Sequence, residues 1–183
     1  AASRTEDLVS NLSSVPTFIL HGTADDNVPC DEARAMEKRL AEAGGHPSTH
    51  FQGGAGHWWD GGEAAGVDCV DWQEIFELFR AQAPRSMPAK IDFTCADPSL
   101  AVDFHGLRLE QPLEYGKPAR IRGTWNAETK ELSLQTENVR WLMIELDRLK
   151  RARVVLDGQL VMSFSPEEII HTRGFLREGE RWH

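Results

Sequence analysis

Residues 1–84 predict an α/β segment and residues 91–183 a β-rich domain, with a linker at 85–90 between them. Three observations carry this prediction. The apolar run Val15-Pro16-Thr17-Phe18-Ile19-Leu20 stops at Gly22, as a strand buried on both faces of a parallel sheet does. Helical periodicity follows at Ala33, Met36, Leu40 and Ala43, and Gly44-Gly45 ends it. Beyond Pro84 the apolar period changes to two, in short runs recurring roughly every 8–12 residues.

Leu8, Val9 and Leu12 share one helical face, and Asn11-Leu12-Ser13-Ser14 closes that turn. Val15 to Leu20 forms the first strand, with Pro16 near its start, where a missing ladder donor is tolerated. Asp31 is placed as the N-cap of a helix over 31–43. Pro47 to Gln52 is a second, more polar strand fit for a sheet edge, which completes one βαβ unit, expected to be right-handed. A further helix carries Val70, Ile75, Phe76, Leu78 and Phe79 on an apolar face and ends at Pro84.

Ala83-Pro84-Arg85-Ser86-Met87-Pro88 reads as the linker. Alternating runs follow at Ile91 to Thr94, Ala119 to Trp125, Glu131 to Thr136, Trp141 to Leu146, Arg153 to Leu156 and Leu160 to Phe164. Asn126 to Lys130 and Asp157-Gly158-Gln159 are turn-like links between pairs of runs. The pattern implies a half-buried antiparallel sheet or a small sandwich.

The formal charge of −9 over 183 residues argues against nucleic-acid or anionic-membrane binding, which need a basic face. No apolar run approaches the roughly 20 residues of a membrane-spanning helix. The first residues have no signal-peptide shape and read as the interior of a longer chain. Cys30, Cys69 and Cys95 are too few and scattered for a disulfide framework or a zinc site, although a Cys30–Cys69 bridge is conceivable.

Chemistry concentrates in two loops. His21-Gly22-Thr23-Ala24-Asp25-Asp26-Asn27-Val28-Pro29 follows the first strand, and Gly53-Gly54-Ala55-Gly56-His57-Trp58-Trp59-Asp60-Gly61 follows the second. Ligands of open α/β sheets bind beyond the carboxyl ends of the strands. A carboxylate there can accept the Nδ1–H of a histidine, fix its tautomer and stabilise the imidazolium that forms during acyl transfer. Asp25 and His57 are the candidate pair, in the order acid then histidine. Gly53, Gly54 and Gly56 permit a tight loop. Asp26 and Asn27 are expected to shape the turn, Trp58 and Trp59 to wall the site or pack the loop, and Asp60 to turn the chain. A metal site from His21, His50, His57 and Asp25 finds no supporting spacing, and Ser163 and Ser165 have no activating neighbours.

The string from His21 to Pro29 resembles the acid loop of the prolyl oligopeptidase-type serine peptidases, in a form close to that of dipeptidyl peptidases. Gly54-Ala55-Gly56-His57 resembles the histidine loop of the same group. The resemblance implies that residues 1–84 are the C-terminal βαβα portion of an α/β-hydrolase catalytic domain. It implies Asp25 as triad acid and His57 as general base, a separation of 32 residues that suits the family. It further implies a peptide or ester substrate and no metal or organic cofactor. The stretch Leu134-Gln135-Thr136-Glu137-Asn138-Val139 is similar to β-rich extensions of some large bacterial members.

One departure decides what to expect. The family's nucleophile sits in a Gly-x-Ser-x-Gly elbow upstream of the acid loop, and here only Ser3, Ser10, Ser13 and Ser14 precede Asp25, none in that context. The expectation is a fragment of a longer hydrolase, inactive alone, with a secreted or periplasmic parent favoured over a cytoplasmic one. The rival reading is a non-catalytic module whose β-sandwich binds carbohydrate or a partner chain, with Trp125, Trp141 and Trp182 as a stacking platform.

Overall fold

The computed structural model describes residues 5–61, 68–81, 86–97, 102–149, 152–163 and 171–183. The chain divides into two compact units, one within residues 4–84 and one within 85–183.

In the first unit the two predicted strands pair in parallel. β1 (Phe18–Gly22) and β2 (Ser48–Gln52) run in register from Phe18 opposite Ser48 to Gly22 opposite Gln52. β1 starts later than the apolar run because Pro16 has no N–H and Thr17 Oγ1 donates to the Val15 carbonyl, a local bond that competes with the ladder. It also continues through His21 and Gly22, so the acid loop leaves directly from a paired strand.

α1 (Cys30–Glu42) connects the strands. Its N-cap is Pro29 rather than the predicted Asp31, and no side chain caps it. Asp31 and Glu32 instead occupy the first turn, where the helix dipole favours negative charge. Leu40 is buried, and the Gly45 N–H closes the end of the helix onto the Leu40 carbonyl. Residues Thr5–Leu12 form a 3-10 helix that packs on α1, with Val9 buried. α2 (Gln73–Arg80) is shorter than predicted and has no buried residue. Val70 lies outside it, and the predicted stop at Pro84 lies outside the described residues.

The second unit comprises two five-stranded sheets. The first has the order β10 (Gln159–Met162), β9 (Arg153–Leu156), β7 (Glu131–Glu137), β6 (Ala119–Asn126) and β3 (Lys90–Cys95). The second has the order β12 (Arg181–Trp182), β11 (Thr172–Glu178), β8 (Val139–Glu145), β5 (Leu107–Pro112) and β4 (Val102–Phe104). β6 and β7 form the predicted hairpin, with Lys130 at φ 55°. β9 and β10 form the other, across Asp157 and Gly158 at φ 49° and 82°, the positive pair that a two-residue hairpin turn demands.

The sheets are not wholly antiparallel as expected, because β7 pairs with β9 in parallel. After β7 the chain reverses at Asn138, runs through β8 in the other sheet, and returns along β7 in its original direction. β4, β5, β11 and β12 were not predicted.

Inward side chains of both sheets form one apolar cluster, including Ile121, Leu132, Leu134 and Val154 from the first and Leu107, Leu109, Leu142 and Phe175 from the second. Met87, within the expected linker, is buried in this cluster. Asp157 ties the sheets at one corner. Its carboxylate accepts from the Thr136 N–H and Oγ1 on β7 at 2.7 and 2.8 Å, and from Trp182 Nε1 on β12 at 2.9 Å. Trp182 is buried, Trp125 packs against the core and Trp141 stands 39% exposed, so the three do not share one open platform. Among the described residues no helix is long and apolar enough to cross a membrane.

Candidate active site

The loops after β1 and β2 leave the same end of a parallel pair and are bonded to one another. The Thr23 N–H donates to the Gln52 carbonyl, the Ala24 N–H to the Ala55 carbonyl at 2.8 Å, and the Gly54 N–H to Thr23 Oγ1 at 2.8 Å. This approach needs Gly22. A Cβ there would sit 2.3 Å from the Gly56 carbonyl oxygen and 2.4 Å from that of Ala55, so any side chain would push the loops apart. Of the three glycines expected to ease the second loop, only Gly54 has positive φ, at 70°.

The approach brings the predicted pair together. His57 Nδ1 lies 2.9 Å from Asp25 Oδ2. An ionised carboxylate only accepts, so Nδ1 carries the proton and Nε2 is the basic nitrogen of the neutral ring. The other oxygen, Asp25 Oδ1, accepts the N–H groups of Asn27 and Val28 at 2.9 and 2.8 Å. The sequence reading gave the turn-shaping bonds to Asp26 and Asn27, whereas Asp25 makes these two while also holding His57.

The Asp25 side chain is only 4% exposed. Its burial opposes ionisation, but the Val28 N–H, the His57 ring and the Asn27 N–H outweigh this and hold the carboxyl at about 2, below the ordinary 3.8. The anion is therefore the only form present near neutral pH.

Two further residues close around the pair. His21 Nε2 donates to the Val28 carbonyl at 2.9 Å and lies 3.4 Å from Asp25 Oδ2. The Trp58 ring stands edge-on to His57, with centroids 5.2 Å apart, and is 76% exposed. Trp59 is half-buried, and its Nε1 has no hydrogen-bond partner among the described residues. A cavity of about 380 Å³ is lined by His21, Asp25, His57, Trp58, Trp59 and Cys69 among others.

The other candidates separate from this site. His50 bonds Gln52 Oε1 at 2.8 Å and stacks near Trp72, and among the described residues no cluster of three or more His, Cys, Asp or Glu could hold a metal ion. The three cysteines are free thiols, without the conceivable Cys30–Cys69 bridge. Ser163 is exposed after β10, and Ser165 lies outside the described residues.

A carboxylate bonded to the Nδ1 of an imidazole, at the carboxyl ends of two parallel strands, is the arrangement by which hydrolases orient a general base. Residues 1–77 match the family model described as the prolyl oligopeptidase family, so this part of the chain is similar to that family. The chain is also similar to an "Uncharacterized secreted protein" of Arthroderma benhamiae, 38% identical over 151 residues that cover 79% of this chain. That match is longer than residues 1–84, so it includes part of the β-rich unit. The chain spans 16% of the length of that relative. No solved structure matches the chain.

Proposed function

We propose that residues 1–84 are the C-terminal part of an α/β-hydrolase catalytic domain, and that the protein containing them is a serine hydrolase cleaving peptide or ester bonds through an acyl-enzyme. The observation that carries this reading is the 2.9 Å bond between His57 Nδ1 and Asp25 Oδ2, made by loops that leave a parallel strand pair at one end. The family match over residues 1–77 supports it.

In this mechanism a serine outside these 183 residues, in a Gly-x-Ser-x-Gly elbow, is the nucleophile. His57 Nε2 removes its proton as Oγ attacks the carbonyl carbon. Asp25 holds Nδ1–H and stabilises the imidazolium. His57 then protonates the leaving amine or alkoxide, and a water molecule attacks the acyl-enzyme with the same histidine as base. The β-rich unit is read as a sandwich-like accessory domain of the same protein. Secretion is the favoured compartment, since the Arthroderma relative is described as secreted.

The test uses a longer protein containing this segment together with a Gly-x-Ser-x-Gly sequence. We expect its serine to be labelled by a fluorophosphonate, and Asp25→Asn to lower kcat by about 10³- to 10⁴-fold. Hydrolysis that survives His57→Ala would sink the reading. The 183-residue chain alone is expected to show no turnover above background.

A further inference from the structure

We infer that His21 is a positioning residue for Asp25, acting through the Val28 peptide. The reading gives His57 to Asp25 but leaves open what fixes the carboxylate itself. Asp25 Oδ1 is held by N–H groups of its own loop, those of Asn27 and Val28, and the loop must be anchored before they can orient anything.

Val28 is the anchored point, because both faces of its residue are used. Its N–H donates to Asp25 Oδ1 at 2.8 Å, and its carbonyl accepts from His21 Nε2 at 2.9 Å. His21 in turn belongs to β1, paired with Phe51 of β2, so its backbone is fixed by the sheet. The path from sheet to acid therefore runs from β1 through the His21 ring to the Val28 carbonyl, and from the Val28 N–H to the carboxylate. Without the ring, the Val28 peptide keeps its bond to the acid but loses its bond to a β1 side chain.

The bond also sets the chemistry of His21. A carbonyl only accepts, so Nε2 must carry a proton. The same nitrogen lies 3.4 Å from Asp25 Oδ2, against 2.9 Å for His57 Nδ1. The shorter contact to Val28 takes the His21 proton, which leaves Oδ2 to His57. His21 is thus a second imidazole beside the acid that does not displace the first. This role rests on the hydrolase reading for its purpose, but its test needs no turnover.

The experiment is NMR on the folded 183-residue chain, with histidine side chains labelled with ¹⁵N and aspartate carboxyls with ¹³C. Three signals are read: the His57 Nδ1–H resonance, the Asp25 titration midpoint, and the His21 tautomer. His21→Leu keeps an apolar filler but removes the donor. His21→Gln places an amide N–H about where Nε2 stood.

The expected result is loss of the His57 Nδ1–H signal in His21→Leu, with the Asp25 midpoint rising by about one pH unit. Both signals should return in His21→Gln, and wild-type His21 should be protonated at Nε2. Wild-type behaviour in His21→Leu overturns the proposal. So does equal loss in both variants while folded, which would make His21 a packing residue, and so does a wild-type His21 with bare Nε2. If His21→Leu does not fold, the glutamine variant and the wild-type tautomer decide between the same outcomes. Failure of the hydrolase reading is seen separately, as activity of the longer protein that survives His57→Ala.

Discussion

Residues 85–183 and residues 4–84 meet the cost of chain ordering by different means. In the β-rich unit both sheets turn alternate side chains inward, and Leu107, Leu142, Ile144 and Val154 are wholly buried. In the α/β unit the buried apolar side chains among the described residues are Val9 and Leu40, while Val70 and Phe79 stand 68% and 65% exposed. What orders the latter around its site is hydrogen bonding between loops: Thr23 to Gln52, Ala24 to Ala55, Gly54 to Thr23, and His57 to Asp25. Apolar burial tolerates changes of pH but is sensitive to deletion of buried atoms. A polar loop network depends in addition on the protonation of its members.

The largest expected effect tests the burial side. Leu142→Ala should lower stability by about 2–5 kcal/mol in urea unfolding followed by tryptophan fluorescence, through lost burial and the cavity left behind. Phe79→Ala, on an exposed face of α2, should stay within about 0.5 kcal/mol. Equal costs for the two would break the comparison.

A smaller effect is expected for Gly22→Ala, about 1–3 kcal/mol, because the new methyl must displace the Ala55–Gly56 backbone. Its NMR signature should be loss of the His57 Nδ1–H resonance, with shifts of the β-rich unit unchanged. A retained Asp25–His57 bond would show that the loops can part without cost.

Acid sharpens the contrast next. The Asp25 carboxyl titrates at about 2 when folded, against 3.8 when free. Its contribution to stability is therefore fully present above 3.8 and is lost as pH falls through about 2. Amide shifts around Thr23 to Val28 should move in that window in the wild type but not in Asp25→Asn, while the buried strands remain unmoved. The smallest effect belongs to Trp58→Ala. The ring is so exposed that stability should change by no more than about 0.5 kcal/mol in the same urea experiment.

The two units were also unequally legible in the sequence. Every strand of the sheet β10-β9-β7-β6-β3 stands where period-two alternation and turn residues placed one. From the other sheet only β8 was read. β4 and β12 are too short to show a period. β5 changes register near Gln111 and ends on Pro112, which interrupts its alternation. β11 offers Phe175 as its one fully buried side chain, beside a glycine whose missing Cβ leaves room for Trp141 and Met143.

The site shows the same boundary. Asp25 and His57 were readable because each follows a strand in a loop of distinctive composition. Gly22 was read only as a strand stop, since its need for a bare Cα arises from a loop more than thirty residues away. His21 was read only as a member of an unsupported metal set, because its partner is a backbone carbonyl, which no side-chain pattern reveals.

The corner at Asp157 has a consequence for how the protein ages. Asp–Gly dipeptides rearrange to isoaspartate when the unhindered glycine nitrogen attacks the preceding carboxyl through a succinimide. In the folded chain the Asp157 carboxylate is held by Thr136 and by the Trp182 indole, so it must leave these bonds to reach that nitrogen in the geometry of attack. Rearrangement at Asp157-Gly158 should be slow while β12 is seated and faster once it lifts. The isoaspartate content of a stored sample would then act as a clock, recording the time that the C-terminal strand has spent detached.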